Sequence, residues 1–329
     1  MRSQLAPISL AHIQQPIRAD LDAVFAELGR IVRSDFPMIE DVNAHLLRIR
    51  GKLFRPTLLL LSARATGRFA DRKVVLAGCV ELIHVATLVH DDSVDHSALR
   101  RGQPTVNALF SHQTAVIMGD YLYSRAMIEL VEQGDLEALR IISRVTNEMT
   151  VGEMRELEAY DALDYSEDAY TRLIQAKTAS LMSGACEVGA VDAPADQRQA
   201  LRQYGLLLGT AFQITDDVLD YTEDERVTGK PSGLDLREHK ITLPLVAALP
   251  HMSDAERGRV EVLMRDAEPD DALVAEVMEI VHQRGGVTAA RSRAHEYAEQ
   301  ASAALNSLPP GAAHDALADG ITYAVERRS

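Results

Sequence analysis

A chain of 329 residues, 47% hydrophobic and 25% charged, has ordinary globular composition and enough length for a large core. With no Trp and only 5% aromatic residues that core must be mostly aliphatic, and a formal net charge of −15 excludes a nucleic-acid binder working through a general basic surface. The two cysteines, Cys79 and Cys186, lie in apolar runs and read as buried free thiols, which suits a reducing cytoplasm.

In chain order the signals are helical. Met1 to Asp20 carries Arg2 but no long apolar stretch after it, so no signal peptide is expected. Leu10 to Val32 repeats apolar residues at Ile13, Ile17, Leu21, Val24, Leu28 and Ile31, one helix face, with Pro16 marking the true start. Pro56 to Ala65 begins with Pro and ends near Gly67. Asp71 to Asp95 is a long run with Asp71 as N-cap. Ser97 to Thr105 reads as a loop. Helical runs follow over Thr114 to Glu132, Leu136 to Ala159, Glu167 to Val191 and Gln197 to Thr222. Glu225 to Glu238 is a second polar loop, and shorter helices fill the rest, broken near Pro250, Pro269, Gly285-Gly286 and Pro309-Pro310. No run approaches the ~18 uncharged apolar residues of a membrane span. The expectation is an all-α, single-domain helical bundle over residues 1–329, its longest helices apolar on more than one face.

Two of those helices end in the same cluster: Asp91-Asp92-Ser93-Val94-Asp95 and Asp216-Asp217-Val218-Leu219-Asp220. Carboxylates sit poorly at a helix C-terminus, where the dipole prefers cations, and a bound cation repairs the defect. Hard divalent ions take oxygen ligands, and Mg²⁺ takes one or two carboxylates plus substrate phosphates. On a helix Asp91 and Asp95 share a face, separated by ~6 Å of rise, whereas Asp92 points ~100° away; Asp216, Asp220 and Asp217 repeat that geometry. Basic residues cluster near helix ends: Lys52 and Arg55 in Gly51–Pro56, Arg100 and Arg101 after the first cluster, and later Lys177, Lys230 and Lys240. Together they fit a site for two diphosphates. His84 lies two turns before Asp91 on about the same face. Glu81-Leu82-Ile83-His84 and Glu279-Ile280-Val281-His282 also match the Glu-x-x-His element of di-iron bundles, but that reading leaves both acidic clusters unexplained.

The ordered set resembles the trans-isoprenyl diphosphate synthases, the polyprenyl synthetase family, over nearly the whole chain. It runs from Gly-Lys-Leu-Phe-Arg-Pro at 51–56 through Glu-Leu-Ile-His at 81–84, both Asp-rich motifs, Met118-Gly119-Asp120-Tyr121-Leu122, Lys177-Thr178 and Phe212-Gln213 to Leu243-Pro244-Leu245. The resemblance implies an all-α fold with a deep central cavity and a homodimer. It implies head-to-tail condensation of isopentenyl diphosphate with an allylic diphosphate, with three Mg²⁺ ions per site when substrate is bound. It assigns metal binding to Asp91, Asp95 and Asp216, supported by Asp92, Asp217 and Asp220. Arg100, Lys177, Lys230 and Lys240 would hold the allylic diphosphate, and Lys52, Arg55, His84 and Arg101 the isopentenyl diphosphate. Thr178 and Gln213 would line the cleft near the developing cation. No side-chain base stands out among the motifs; the family implies that released diphosphate takes the proton. His239 stands where many members have Gly.

Short-chain members tend to carry a bulky aromatic one turn before the first Asp-rich motif. Ala86 and Thr87 are small here, and the run Glu81–Asp92 resembles the long-chain members, implying a product of roughly six to ten isoprene units. The alternatives are a short-chain farnesyl or geranylgeranyl diphosphate synthase, a non-catalytic subunit of a heteromeric synthase, and a terpene cyclase. A cyclase would normally replace the second Asp-rich motif with an Asn/Ser/Glu type. A lipid-like product leaves room for peripheral membrane contact at release.

Overall fold

The computed structural model describes residues 8–48, 51–100, 102–158, 165–222 and 232–327. A four-residue helix α1 (Leu10–Ile13) leads through a 3₁₀ turn at Gln15–Ile17 into α2 (Arg18–Ile31). Then come α3 (Pro37–Arg48), α4 (Phe54–Ala65) and α5 (Arg72–Val94). The short strands β1 (Leu99–Arg100) and β2 (Gln103–Pro104) precede α6 (Val106–Leu109), α7 (His112–Glu132) and α8 (Leu136–Glu158). Helix α9 (Glu167–Ile174) continues through a π-helical segment, Gln175–Ala179, into α10 (Ser180–Gly189) and then α11 (Ala195–Thr222). The remainder is α12 (Leu234–Arg237), α13 (Leu243–Ala248), α14 (Asp254–Arg265), α15 (Asp271–Gln283), α16 (Gly286–Ala304) and α17 (Ala312–Glu326).

Burial follows apolar patterning. In α4 the run Pro56–Ala63 is buried without a break, and α10 is buried on every face, as suits central helices. Helix α5 packs on α2, α4 and α7, α10 on α4, α8 and α11, and α11 on α16. A second apolar cluster joins the end of α11 to α13, α14, α15 and α16. Cys79 and Cys186 are free and buried, and burial pushes both thiols up to about 12.

Several boundaries differ from the sequence reading. Ile13, Ile17, Leu21, Val24, Leu28 and Ile31 are all buried as one face, but Pro16 splits the run, because its ring cannot accept the helical pattern four residues back. Helix α4 starts at Phe54, with Pro56 inside its first turn, and Leu53 before it is left-handed at φ +50°. Asp71 is in helical conformation and makes no capping bond. The 97–105 loop contains a two-residue antiparallel hairpin, Leu99 opposite Pro104 and Arg100 opposite Gln103, which turns at Gly102 with φ +72°. Helix α3 had no expectation attached to it.

Small residues let the central helices approach. A Cβ on Gly209 of α11 would stand 2.7 Å from Ala179 Cα, and one on Gly152 of α8 would stand 2.8 Å from the Lys177 backbone N. The π segment is therefore clamped between two glycines. Gly209→Ala should push α11 off that segment and cost about 1–3 kcal/mol. A lowered urea midpoint with unchanged m-value is the expected result; an unchanged midpoint would show that the contact relaxes freely.

Candidate active site

Lys177 and Thr178 sit inside the π segment. The extra residue of a π turn rotates side chains off the regular helical face, and such bulges concentrate at functional sites. Here it presents both residues to a cavity of about 160 Å³ lined also by Glu156, Tyr165, Tyr170, Gln213, Asp217, Asp235, His239 and Lys240.

The first cluster closes α5. Asp92, expected to flank the ligands, is buried and accepts a 2.7 Å bond from Arg100 Nε, which the hairpin swings back over the helix end. Asp95 is exposed as the C-cap. Burial pushes the Asp91 carboxyl up, Lys177 and Arg100 draw it down, and Asp95 and Glu156 oppose them. Lys177 Nζ donates to Glu153 at 2.9 Å and also to Glu156. Burial works against that ammonium, but Glu156, Glu153 and Asp91 hold it above its usual range. Glu153 in turn is pushed up to about 7, first by burial and then by the Asp91 charge.

The second cluster closes α11. Asp217 is buried, and accepts from Tyr170 OH at 2.5 Å and from Gln213 Nε2 at 2.8 Å. Thr178 Oγ1 donates to Gln213 Oε1 at 2.9 Å, so a hydroxyl–amide–carboxylate chain spans the cavity wall. Burial raises Asp217 despite those bonds, and Asp216 and Asp220 add to the shift. Asp220 accepts from the backbone N–H groups of Leu234 and Asp235, both at 3.1 Å, and so anchors the short helix α12. Asp216 is exposed and pairs with Arg327 at 2.5 Å. Asp235 is raised well above its ordinary value by burial and by Asp217 and Asp220. Lys240 donates to Glu238 at 2.8 Å; burial opposes its charge, yet Glu238 and Asp235 keep it raised.

Lys52 is exposed, and Arg55 and His84 are half-buried. Phe54, between the two cations, stacks on Phe212 of α11 at 5.6 Å and so ties their loop to the second cluster. Arg101 and Lys230 lie outside the described residues. Ala86 is buried in the main core and Thr87 Oγ1 donates to the His84 carbonyl; neither lines the 160 Å³ cavity. Among the described residues three non-glycines have positive φ: Leu53, His96 and His239, at 50°, 52° and 59°. Each adjoins an expected site residue, Lys52, Asp95 or Lys240, which fits strain held at a functional site. His239 adopts a glycine conformation, in keeping with the Gly expected there, and its Nε2–H donates to the Asp266 carbonyl at 2.8 Å.

Oxygen donors dominate both clusters, which is the ligand chemistry of Mg²⁺. Among the described residues no three His, Cys, Asp or Glu side chains form a ready metal cage, and Mg²⁺ takes few carboxylates where substrate phosphates complete its shell. Glu153, Glu156, Tyr170, Asp235 and Arg327 were not anticipated. Glu153 and Glu156 share a helix face at i,i+3, a signal that was available; Arg327 carries no local signal.

An all-helical bundle with paired carboxylate clusters and convergent lysines and arginine at its mouth defines an enzyme class that works on diphosphate esters. The comparisons agree. The polyprenyl synthetase pattern matches residues 36–281. The octaprenyl diphosphate synthase of Escherichia coli (strain K12) is 34% identical over 322 residues, 97% of this chain and 99% of that one. The all-trans-nonaprenyl-diphosphate synthase (geranyl-diphosphate specific) of Rhodobacter capsulatus is 37% identical over 96% of this chain and 97% of its own. A crystal structure of polyprenyl synthase from Caulobacter crescentus CB15, complexed with calcium and isoprenyl diphosphate, superposes with a TM-score of 0.93 at 35% identity, covering 99% and 100% of the two chains. The chain belongs to the polyprenyl synthetase family of prenyltransferases.

Glu153 gives a pH test. Its folded value of about 7 exceeds the ordinary 4.5, so ionisation is disfavoured in the native state and stability is lost as pH rises between those values. Glu153→Gln mimics the neutral form. Its stability relative to the parent should grow from pH 5 to pH 7.5 in urea titrations and then flatten. A shrinking difference would mean that the Lys177 pair outweighs burial.

Proposed function

We propose that this chain is a long-chain all-trans polyprenyl diphosphate synthase. It joins isopentenyl diphosphate head-to-tail to an allylic diphosphate, as a single domain, to give roughly six to ten isoprene units. The observation that carries the reading is Lys177 and Thr178 on a π turn between the two acidic clusters.

Asp91, Asp95 and Asp216 would hold the Mg²⁺ ions, three per site with substrate, and Asp92, Asp217 and Asp220 hold the hydrogen-bond and charge framework around them. Bound Mg²⁺ supplies neutralisation of the charge that grows on the leaving diphosphate. The chain's own cations act beside it. Lys177, Lys240 and Arg100 carry carboxylate partners in this structure, and arrival of the allylic diphosphate exchanges those partners for phosphate oxygens. Lys52, Arg55 and His84 receive the isopentenyl diphosphate. Arg101 and Lys230 fall to the same two groups of diphosphate contacts. The Thr178 hydroxyl and the Gln213 amide, hydrogen-bonded to each other, face the carbon that becomes cationic, and apolar helix walls keep out water that would quench it. The allylic carbon loses its diphosphate, the alkene of the second substrate forms the new C–C bond, and the proton lost leaves on the released diphosphate.

A cavity of about 160 Å³ is below the ~300–1,000 Å³ of ordinary small-molecule sites, so it holds reacting groups and not a long chain. The hydrocarbon would then need a path along α5, with the small Ala86 and Thr87 as its gate. We further read a homodimer across α7 and α8, where Ile117, Val131, Met154 and Leu157 are exposed; light scattering at twice the chain mass would check it. Among the described residues Arg72–Val94 alone is long and apolar enough to cross a membrane, and 56% of its apolar window is buried in the bundle. The reading for product release is a peripheral membrane contact. The two buried free thiols favour a cytoplasmic setting.

The test is product sizing. Purified chain with Mg²⁺, farnesyl diphosphate and excess labelled isopentenyl diphosphate should give prenols of six or more units. Ala86→Phe or Thr87→Phe should shorten them. Products stopping at four units would make it a short-chain synthase, and no elongation from any allylic primer would leave the cyclase or subunit reading.

A further inference from the structure

Arg327 follows the last turn of α17, yet its side chain is only 6% exposed. Its guanidinium lies 3.4 Å over the Phe212 ring, and Nη2 donates to the Phe212 carbonyl at 3.0 Å. The same Nη2 meets Asp216 Oδ1 at 2.5 Å. Phe212 and Asp216 are four apart on α11, so one guanidinium spans one helix turn. Phe212 is itself braced by Phe54, which also meets Tyr323 of α17 at 5.8 Å. The arginine is thus fixed by contacts that do not involve Asp216.

The neighbours of Asp216 differ. Asp217 and Asp220 have both carboxylate oxygens bonded to protein donors. Asp216 meets Arg327 through Oδ1 and is 46% exposed. We propose that Arg327 is a positioning residue: it pins one oxygen of Asp216 so that Oδ2 is held toward the cleft as the second cluster's cation ligand. This rests on the metal-binding reading of Asp216. Ligating carboxylates are commonly oriented by such outer hydrogen bonds, whose loss weakens metal binding by about 10–100-fold. A lysine lacks the planar guanidinium that lies over the Phe212 ring.

The test is Mn²⁺ titration of the whole chain, with free Mn²⁺ read by electron paramagnetic resonance and melting temperature read in parallel. Asp216→Asn should remove one ion. Arg327→Gln should weaken that same ion about 10–100-fold, and Arg327→Lys should fall between it and the parent. If Arg327→Gln does not fold, Arg327→Lys alone decides, by weaker or unchanged binding. Unchanged affinity with a lowered melting point would make Arg327 merely structural. Tighter binding would make it a competing counter-charge. Both overturn the proposal. If Asp216→Asn keeps every ion, the metal reading of Asp216 itself fails, which is a different result from failure of Arg327 alone.

Discussion

Like-charged carboxylates are held close together at the ends of two apolar helices, and the rest of the site answers that constraint. The helix dipole opposes them and burial opposes their ionisation. The structure answers at the first cluster with Arg100 on Asp92 and Lys177 beside Asp91, and at the second with Arg327 on Asp216. Bringing those cations in takes unusual backbone: a hairpin for Arg100 and a π turn between two glycines for Lys177. Among the described residues the three non-glycines with positive φ likewise adjoin expected site residues.

The two clusters are not equivalent. In the first, burial raises the Asp91 carboxyl while Lys177 and Arg100 draw it down. In the second, tyrosine, amide, backbone N–H groups and an arginine already occupy most carboxylate oxygens. The second cluster is a pre-organised frame with one oxygen to offer, and the first is a charged mouth. That division suits a diphosphate that must be gripped, ionised and released between them.

Much of this was legible in residues. The apolar face from Ile13 to Ile31, the long buried α5 and the two Asp-rich ends follow from periodicity and composition alone. Thr178 and Gln213 were placed by motif and do meet in the structure. What escaped was tertiary. A π turn leaves no periodic trace distinct from a helix, and a two-residue hairpin is too short to alternate. The bond from Arg100 to Asp92, eight residues back, follows from the hairpin and not from helical angle. Arg327 contacts a motif more than one hundred residues earlier, which no window along the chain can see. That Ala86 packs within the main core is likewise a tertiary fact that its small size does not reveal.

The central claim is that cations and a diphosphate jointly complete the two acidic clusters. Its most direct test is the melting temperature of the purified chain with Mg²⁺, with inorganic diphosphate, and with both. A ligand that binds only the native state stabilises it by mass action. The account predicts a clear rise only with both together, diminished in Asp91→Asn and in Asp216→Asn. An equal rise with diphosphate alone, or an undiminished rise in both variants, would contradict it.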